Sequence, residues 1–157
     1  KLLSLGTAIE MVNLLFPFGE VSPELFNTIL ELFQKLTKDD YNLYDYLRFE
    51  IILLELIGVG INLSSCSVTG DTHNLYYLSP KTGNVVSQET GKEYHDKLLI
   101  IPQYIIYQTR ENYNDADLKN GKIMTEYFFN NFFLNHVDKK LPKIRDLLFS
   151  EKLTLLG

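Results

Sequence analysis

Apolar residues recur every three to four positions in the first part of the chain and predict two α-helices there. The first is expected over residues 2–16, ending at Pro17 and Gly19. Residues 22–24, Ser-Pro-Glu, are a typical start of the second, with a capping hydroxyl, a proline at the first helical position and an acid in the first turn. The buried face of this second helix is predicted to consist of Leu25, Phe26, Ile29, Leu30, Phe33 and Leu36.

The segment from residue 43 to residue 57 is the centre of the predicted fold, because almost every position in it is apolar. A helix that is apolar nearly all round is buried among other elements. Asn42 is expected to cap its start, and Gly58 and Gly60 are expected to end it, since glycine takes the left-handed conformation at little steric cost. One narrow face is charged and is predicted to be a solvated edge, consisting of Asp45, Arg48 and Glu55.

Glu50 lies on the opposite, apolar side of this central helix. An unpaired carboxylate there would cost on the order of several kcal/mol in lost hydration. A buried acid can also mark catalysis, but the sequence offers no obvious nucleophile, base partner or cofactor loop. We therefore expect a structural role, in which Glu50 accepts hydrogen bonds from backbone N–H groups of the following corner or from an arginine. Arg48 is also assigned a structural role.

Two short corners follow this helix and flank a predicted β-hairpin. Residues 66–70, Cys-Ser-Val-Thr-Gly, and residues 87–91, Ser-Gln-Glu-Thr-Gly, both end in Thr-Gly. Between them, residues 75–78 and 84–86 are expected to be strands, joined by a turn at residues 79–83 whose proline and glycine reverse the chain. Gly70 and Gly91 are predicted to be structural positions that close the corners.

The two corners have the layout of a zinc ribbon, and their separation falls within the ~15–20 residues typical of paired Cys-x-x-Cys knuckles. Only Cys66 is a thiol, however. Thr69, Ser87 and Thr90 stand at the other ligand positions and cannot supply the thiolate or imidazole that zinc requires. We therefore predict a ribbon that keeps its shape without a metal ion, with hydroxyl hydrogen bonds in place of the lost ligands.

The second half of the chain is predicted to return to helices. Residues 98–102 are expected to form an extended strap that leads into a short helix at residues 103–107, followed by a polar loop at residues 109–117. A long helix is placed at about residues 117–137, capped by Asn114 or Asp115. Pro142 opens a last helix, whose inward residues are predicted to be Ile144, Leu147, Leu148 and Leu153.

These elements predict a mainly α-helical protein. We interpret residues 1–157 as one bundle-like helical domain, with residues 64–94 as an inserted β-hairpin module of the degenerate zinc-ribbon type. A chain of this length needs no disulfide or metal ion to fold. It begins at Lys1, directly inside a helical pattern, and we expect that a preceding segment is missing.

Composition and charge limit the classes of function that the chain can have. The chain has 15 Lys and Arg against 20 Asp and Glu, which gives a net charge of −5. A domain that binds nucleic-acid phosphates by itself usually has an excess of basic residues, which this chain lacks. A single cysteine excludes an intrachain disulfide and fits a reducing cytoplasm. No uncharged apolar run reaches ~18 residues, so nothing in the sequence suggests membrane insertion. No cofactor is expected.

The one local basic excess lies near the C-terminus. It is interpreted either as a solvated helix end or as a patch for an acidic partner or for DNA phosphate. The residues of this predicted patch are Lys139, Lys140, Lys143, Arg145 and Lys152.

Other chemistry-bearing residues favour structural interpretations. Cys66 is expected to be a small core residue, because no His or Lys beside it in the sequence would lower the pKa of its thiol. The aromatic run at residues 127–133 is typical of core packing, although stacking on bases is the alternative, and Phe129 or Phe133 is expected to face a groove. Surface positions without a metal-ligand pattern are predicted for His73, His95 and His136 with Asp71 and Asp96.

The motifs in this order resemble a known family. Residues 46–50, Tyr-Leu-Arg-Phe-Glu, the corner at 66–70 and the turn at 78–83 are similar to the C-terminal domain of RecO, a family of bacterial recombination mediators. Residues 125–128, Thr-Glu-Tyr-Phe, and 141–145, Leu-Pro-Lys-Ile-Arg, extend the similarity. The degenerate corners resemble an alphaproteobacterial branch of the family.

The resemblance implies a non-enzymatic role in DNA repair. Proteins of this family bind and anneal single-stranded DNA and, with RecR, help to load RecA onto DNA coated by single-stranded-DNA-binding protein. The resemblance implies that an N-terminal OB-fold, expected to be absent from this chain, makes most of the DNA contact. It also implies binding of the acidic, hydrophobic-tipped tail of single-stranded-DNA-binding protein, for which Arg145 with Lys143 is our candidate site.

Two other function classes are compatible with the sequence. One is a helical protein–protein interaction domain unrelated to DNA metabolism. The other is a metal-dependent hydrolase that uses the histidines and aspartates.

Overall fold

The computed structural model describes residues 1–16, 22–107 and 114–154, with side chains described up to Ser150. Within these ranges the α-helices are α1 (Leu2–Leu15), α2 (Pro23–Thr37), α3 (Leu43–Leu56), α4 (Gln88–Gly91), α5 (Gln103–Tyr107), α6 (Asp115–Phe132) and α7 (Lys143–Thr154). The strands are β1 (Leu75–Leu78), β2 (Val85–Ser87) and β3 (Leu99–Ile100). Two 3₁₀ segments lie at Lys92–Lys97 and Leu134–His136. The predicted mainly α fold with a small β module is confirmed.

Helix α3 lies at the centre, packed between α2 on one side and α6 on the other. Its start is a capping box: the Asn42 side chain accepts a hydrogen bond from the Tyr44 N–H at 2.9 Å, and the Asp45 carboxylate accepts one from the Asn42 N–H at 3.1 Å. At its end Gly58 has a φ of +85°, the left-handed conformation expected after a helix. Burial on nearly all sides confirms the sequence prediction for this segment.

Helix α2 begins as predicted, because the Ser22 hydroxyl accepts a hydrogen bond from the Leu25 N–H at 3.1 Å. Its buried face differs from the prediction. Leu25, Thr28 and Leu32 are buried against the core. Three residues predicted to lie inward, Phe26, Leu30 and Phe33, are exposed instead. The helix carries two adjacent apolar stripes, and only one of them contacts α3.

The β module is a three-stranded antiparallel sheet in the order β2-β1-β3. The predicted turn between β1 and β2 is present: Gly83 has a φ of +68° and its N–H donates to the Ser79 carbonyl at 2.9 Å. The predicted strap at residues 98–102 contributes β3, which pairs with β1. The short helix predicted at residues 103–107 is α5.

The two glycine-ended corners differ from one another, contrary to the prediction. Gly70 has a φ of +79°, and its N–H donates to the Cys66 carbonyl at 2.9 Å, so this corner is a tight left-handed turn. Residues 87–91 instead continue from β2 into α4, and Gly91 has a φ of −81°. A side chain at Gly91 would overlap the ring of Tyr77. Glycine is therefore required there by close packing.

The boundaries of the last two helices shift from the predicted ones. Asn114 caps α6 as expected, accepting a hydrogen bond from the Asp117 N–H at 2.8 Å, but the helix ends at Phe132. The Asp117 carboxylate in turn accepts from the Gln103 N–H at 2.9 Å and so caps α5. In α7, Leu147 is exposed although it was predicted to point inward. Predictions that lie outside the described residues or side chains concern Pro17, Gly19, most of the 109–117 loop, Lys152 and Leu153.

No described helix is both long enough and apolar enough to cross a membrane. Helix α6 is the longest, and its polar and charged positions interrupt any apolar run.

Helices α3 and α6 approach each other so closely at Gly121 that a Cβ atom added there would overlap Leu47 Cδ2. Alanine is intrinsically better than glycine in a helix by about 1 kcal/mol. We nevertheless expect Gly121→Ala to lower the free energy of unfolding by about 1–3 kcal/mol, because overpacking outweighs that gain. Urea unfolding measures the difference.

Gly60→Ala is the matched control, since no atom lies within 4 Å of a Cβ built at Gly60. Its stability should stay close to that of the wild type. A Gly121→Ala protein as stable as the Gly60→Ala protein would contradict the close approach of α3 and α6.

Candidate functional site

A buried ion pair joins three helices. Glu50 in α3 is 0 % exposed and Arg145 in α7 is 1 % exposed. Arg145 Nε donates to Glu50 Oε1 at 2.7 Å, and Nη2 donates to Oε2 at 2.9 Å, so the contact is bidentate. Thr125 in α6 completes it: its hydroxyl donates to Glu50 Oε2 at 2.7 Å and accepts from Arg145 Nη2 at 2.8 Å.

This network reaches the surface on one side. Arg145 Nη1 donates to Glu126 Oε2 at 3.2 Å, and Nη2 donates to the Lys122 carbonyl at 3.3 Å. Lys122 then pairs with Asp146 at 3.0 Å and with Glu126 at 3.5 Å. The Arg145 guanidinium also lies 5.0 Å from the centre of the Phe149 ring. All three nitrogen atoms of the buried guanidinium donate hydrogen bonds, and its face lies against the Phe149 ring.

The surroundings of the ion pair determine the charge states of Arg145 and Tyr46. Burial alone would lower the pKa of Arg145, but the charge of Glu50 and its hydrogen bonds raise it above the usual value. Burial, and then the Glu50 charge, raises the pKa of the neighbouring Tyr46 well above its usual range. Arg145 therefore remains charged and Tyr46 neutral at physiological pH. The arrangement supports packing and is poorly suited to proton transfer.

The positions of Glu50 and Arg145 bear on two sequence predictions. Glu50 does accept hydrogen bonds from an arginine, but its partners lie on α6 and α7, not on the corner at residues 66–70. Arg145, predicted to belong to a surface patch, lies in the core with its guanidinium fully engaged, so it is not available to a partner. The sequence signal that links them is the acid on the apolar face of α3, which requires a buried cation.

The other described residues of the predicted basic patch are exposed. Lys139 and Lys140 follow a turn in which Asp138 has a positive φ of +51°, and Lys143 begins α7. No ion pair connects these three lysines to any other residue that the structure describes. They form a small solvated cationic surface.

The four predicted ligand positions of the ribbon come together. Ser87 N–H donates to Cys66 Sγ at 3.4 Å, Cys66 Sγ lies 3.8 Å from Ser87 Oγ, and Ser87 Oγ donates to Thr90 Oγ1 at 2.9 Å. Thr69 Oγ1 accepts a hydrogen bond from the Asp71 N–H at 3.3 Å. Burial would raise the pKa of the Cys66 thiol, but the Thr69 hydroxyl and nearby backbone N–H groups lower it to about 6.

These residues do not fit a zinc ion. Zinc needs thiolate, imidazole or carboxylate ligands, whereas three of the four side chains here are hydroxyls that are already engaged in hydrogen bonds. Among the described residues no group of three or more His, Cys, Asp or Glu side chains is arranged to hold a metal ion. His73, His95 and His136 are exposed.

The aromatic run is mainly core. Phe128 and Phe129 in α6 are buried, so Phe129 does not face a groove as one alternative predicted. Phe132 is the exposed member and stacks on Phe128 with ring centres 5.3 Å apart. Phe133 is half-buried. The run therefore supplies little aromatic surface for stacking on bases.

A cleft of about 570 Å³ lies between α2, α3 and α5. Sequence analysis did not predict it, because its walls come from α2, α3, Leu63 and α5, which are four separate stretches of the chain. Its apolar lining consists of Leu32, Phe49, Ile51, Ile52, Leu63, Ile105 and Ile106. Its charged residues are Glu31, Lys35, Asp45, Arg48 and Glu55.

Arg48, predicted to have a structural role, is instead an exposed cation at the edge of this cleft, so that prediction was wrong. Lys35 is occupied by Asp45, with the two charged groups 3.6 Å apart. Arg48 is exposed and makes no ion pair or hydrogen bond with another described residue. A cleft that has both apolar and polar walls, with an exposed guanidinium at its edge, can accept an apolar group that carries a carboxylate.

Comparisons with known proteins agree on a single family. The family described as "Recombination protein O C terminal" matches residues 1–143. DNA repair protein RecO of Orientia tsutsugamushi (strain Ikeda) is 34% identical over 148 residues, which cover 94% of this chain and 61% of that protein. The protein of the same name from Caulobacter vibrioides (strain NA1000 / CB15N) is 33% identical over 144 residues, 92% of this chain and 59% of that protein.

A third relative is DNA repair protein RecO of Bartonella bacilliformis, 34% identical over 134 residues, which cover 85% of this chain and 55% of that protein. The chain thus spans somewhat more than half the length of the curated relatives that it matches. No solved structure matches the chain.

We expect Glu50→Leu to lower the free energy of unfolding by about 3–5 kcal/mol, because it leaves the Arg145 charge buried without its partner. Chemical denaturation measures this loss. The double variant Glu50→Leu/Arg145→Met should recover much of it, since a buried pair replaced by apolar side chains costs little. A melting temperature of Glu50→Leu equal to that of the wild type would contradict the pairing.

The corner geometry predicts that zinc binding can be restored. In a tetrahedral site with Zn–S bonds of ~2.3 Å, sulfur atoms lie about 3.8 Å apart, which matches the spacing of Cys66 Sγ and Ser87 Oγ. We expect the triple variant Thr69→Cys/Ser87→Cys/Thr90→Cys to bind one zinc ion per chain, as measured by elemental analysis. The single variant Thr69→Cys is the control and should bind none. A folded triple variant without zinc would show that the corners do not converge as described.

Proposed function

The chain belongs to the C-terminal family of recombination protein O, and on this premise we propose that it is the helical part of a recombination mediator in DNA repair. In this role the whole protein binds and anneals single-stranded DNA. Together with RecR, it helps to load RecA onto DNA coated by single-stranded-DNA-binding protein. The chain contributes a binding surface to these steps and carries out no reaction of its own.

The surroundings of the buried Glu50 and Cys66 side chains favour a binding role over a catalytic one. The most deeply buried acid, Glu50, is held by a bidentate arginine and by Thr125. Such a carboxylate is fully buried and has no side open to a substrate. The lowered pKa of Cys66 arises from hydrogen bonds inside the corner, and the sulfur is buried away from any reactant. Both groups stabilise the fold on which the binding surface is built.

The observation that carries the proposal is the cleft between α2, α3 and α5, which has an apolar wall and Arg48 at its edge. The partner it fits is the tail of single-stranded-DNA-binding protein, which is acidic and ends in an apolar residue with a free carboxylate. The apolar tip would enter between α2, α3 and α5, where Phe49 and Ile105 line the walls. The terminal carboxylate would then pair with the Arg48 guanidinium.

The charges around the cleft give the bound tail an orientation. Glu31 and Glu55 also line it, so an acidic segment that passed over them would be repelled. Only the carboxylate end is therefore placed at Arg48, and the preceding acidic residues point away from those two glutamates. Because the pair at Arg48 is exposed, we expect binding to weaken as salt is added.

Single-stranded DNA and RecR are assigned to surfaces outside the cleft. We place most of the DNA contact in the N-terminal OB-fold that members of this family carry, because the net charge of −5 disfavours phosphate binding by this chain. Lys139, Lys140 and Lys143 are the surface that we assign to DNA phosphate or to an acidic part of RecR. We propose that the protein works in the cytoplasm.

A titration with a tail peptide tests the cleft. The probe is an acidic peptide that ends in phenylalanine with a free carboxylate, followed by fluorescence anisotropy. We expect Arg48→Ala to weaken binding about tenfold or more, since a hydrogen bond to a charged group contributes roughly 1.5–3 kcal/mol. Capping the peptide with a C-terminal amide should weaken wild-type binding similarly and leave Arg48→Ala unaffected.

Lys143→Ala is the matched control, because Lys143 is an exposed cation outside the cleft. Its affinity for the peptide should equal that of the wild type. If Arg48→Ala bound the peptide as tightly as the wild type and Lys143→Ala bound it more weakly, the tail site would lie on the basic surface and not in the cleft.

A further inference from the structure

The cleft between α2, α3 and α5 has walls of two kinds. Helices α2 and α3 have 15 and 14 residues, and both carry residues buried in the core. The remaining walls are Leu63, which lies outside any helix or strand, and α5, which has five residues. We call Leu63 and α5 the short walls. Because a helix of one turn is not stable by itself, the short walls need an attachment to another part of the fold.

The Leu63 wall is attached to the turn between β1 and β2. The preceding residue, Asn62, donates its N–H to the Gly83 carbonyl at 2.8 Å, and its carbonyl accepts from the Val85 N–H at 3.1 Å. The Asn62 side chain accepts two further hydrogen bonds, from the Ser64 N–H at 3.0 Å and from the Ser64 hydroxyl at 2.7 Å. Asn62 therefore joins Leu63 to the β module and also fixes the local turn around it.

Gly83 allows this attachment to form. It is buried and has a φ of +68°, which glycine adopts at little steric cost. A Cβ atom built at Gly83 would overlap the Gly60 carbonyl oxygen, and the Cα atom of Ile61 lies next to it. The backbone of the turn is thus in direct contact with the backbone that leads to Leu63. A residue of the β module that does not line the cleft therefore determines where this wall lies.

The α5 wall is attached to the same hairpin by way of β3. Strand β3 pairs with β1, with Tyr77 opposite Ile100. The Ile101 N–H then donates to the Tyr76 carbonyl at 2.9 Å, so the attachment to β1 extends to two residues before α5 begins. The β1–β2 hairpin thus holds both short walls, Leu63 at its turn and α5 along β1.

We propose that the β module is the positioning element of the cleft, with Gly83 and Asn62 as its positioning residues. This inference rests on the function proposed above, because it concerns how the site for the acidic tail is built. Neither residue lines the cleft. Their effect on binding arises because walls that are ordered beforehand spare the complex the entropic cost of ordering them when the ligand enters. The module thus contributes to binding through its shape.

The peptide titration described above, applied to Gly83→Ala, tests the proposal. Alanine there is strained and overlaps the Gly60 carbonyl oxygen, so the turn must separate from the backbone that leads to Leu63. We expect the acidic peptide ending in phenylalanine to bind about tenfold more weakly, because two or three side chains of the short walls must then be ordered on binding. Fluorescence anisotropy gives the affinity, at a temperature at which circular dichroism shows that the variant is folded.

Gly70→Ala is the matched control. Gly70 is also a left-handed glycine of the β module, with a φ of +79°, but no atom lies within 4 Å of a Cβ built there. The backbone strain of the two alanine variants is therefore similar, and only Gly83→Ala disturbs a wall of the cleft. The Gly70→Ala protein should bind the peptide as tightly as the wild type.

Asn62→Ala is a second variant, which decides the matter if Gly83→Ala does not fold. Asn62 is exposed, and the substitution removes only the side-chain acceptor beside Leu63. We expect about threefold weaker peptide binding, the effect of one ordinary hydrogen bond. Asn62→Ser should restore most of the affinity, because a serine hydroxyl can form the same kind of turn. Without peptide, hydrogen exchange of residues 60–65 should be faster in Asn62→Ala than in the wild type.

The outcomes separate this inference from the function on which it rests. If the wild type binds the peptide and both Gly83→Ala and Asn62→Ala bind it equally well, the inference is overturned and the proposed function stands. Equal losses of affinity in Gly70→Ala and Gly83→Ala would also overturn the inference, because strain anywhere in the module would then have the same effect. A wild-type chain that does not bind the peptide would overturn the proposed function, and the inference with it.

Discussion

The bidentate contact between Glu50 and Arg145 determines how the helices of this protein are joined. A carboxylate on the apolar side of α3 is unfavourable unless a cation and a hydroxyl reach it, and these come from α7 and α6. One acidic side chain thus fixes the relative positions of three helices. The same requirement removes Arg145 from the surface, whereas Arg48, on another side of α3, is exposed at the edge of the cleft.

The features of the fold that sequence reasoning predicted are those with local causes. The capping box at Asn42, the glycine turn at Gly83 and the helix start at Ser22 each depend on neighbouring residues, and all three are present. The inward face of α2 could not be predicted in the same way. Periodicity shows that Phe26 and Leu25 are apolar, but which of them contacts α3 depends on how far the helix is rotated about its axis.

The site was less predictable than the fold, because it depends on contacts between distant residues. The acid at Glu50 predicted a buried basic partner. Nothing near it in the sequence indicated that this partner is Arg145 and not another basic residue. The cleft needs the wall supplied by Ile105 and Ile106, whose position follows from the cap that Asp117 provides to α5. By contrast, the regular spacing of the two Thr-Gly segments was enough to indicate that Cys66 and Ser87 would meet.

The sequence separation of the central ion pair has a consequence for synthesis of the protein. Glu50 leaves the ribosome 95 residues before Arg145 does. Until then, α3 carries an uncompensated acid on the face that it must bury, so a nascent chain is held back from packing α3 against α6. Packing of α3 against α6 and α7 thus awaits translation of α7, and premature termination before Arg145 would leave a product that quality-control proteases can recognise.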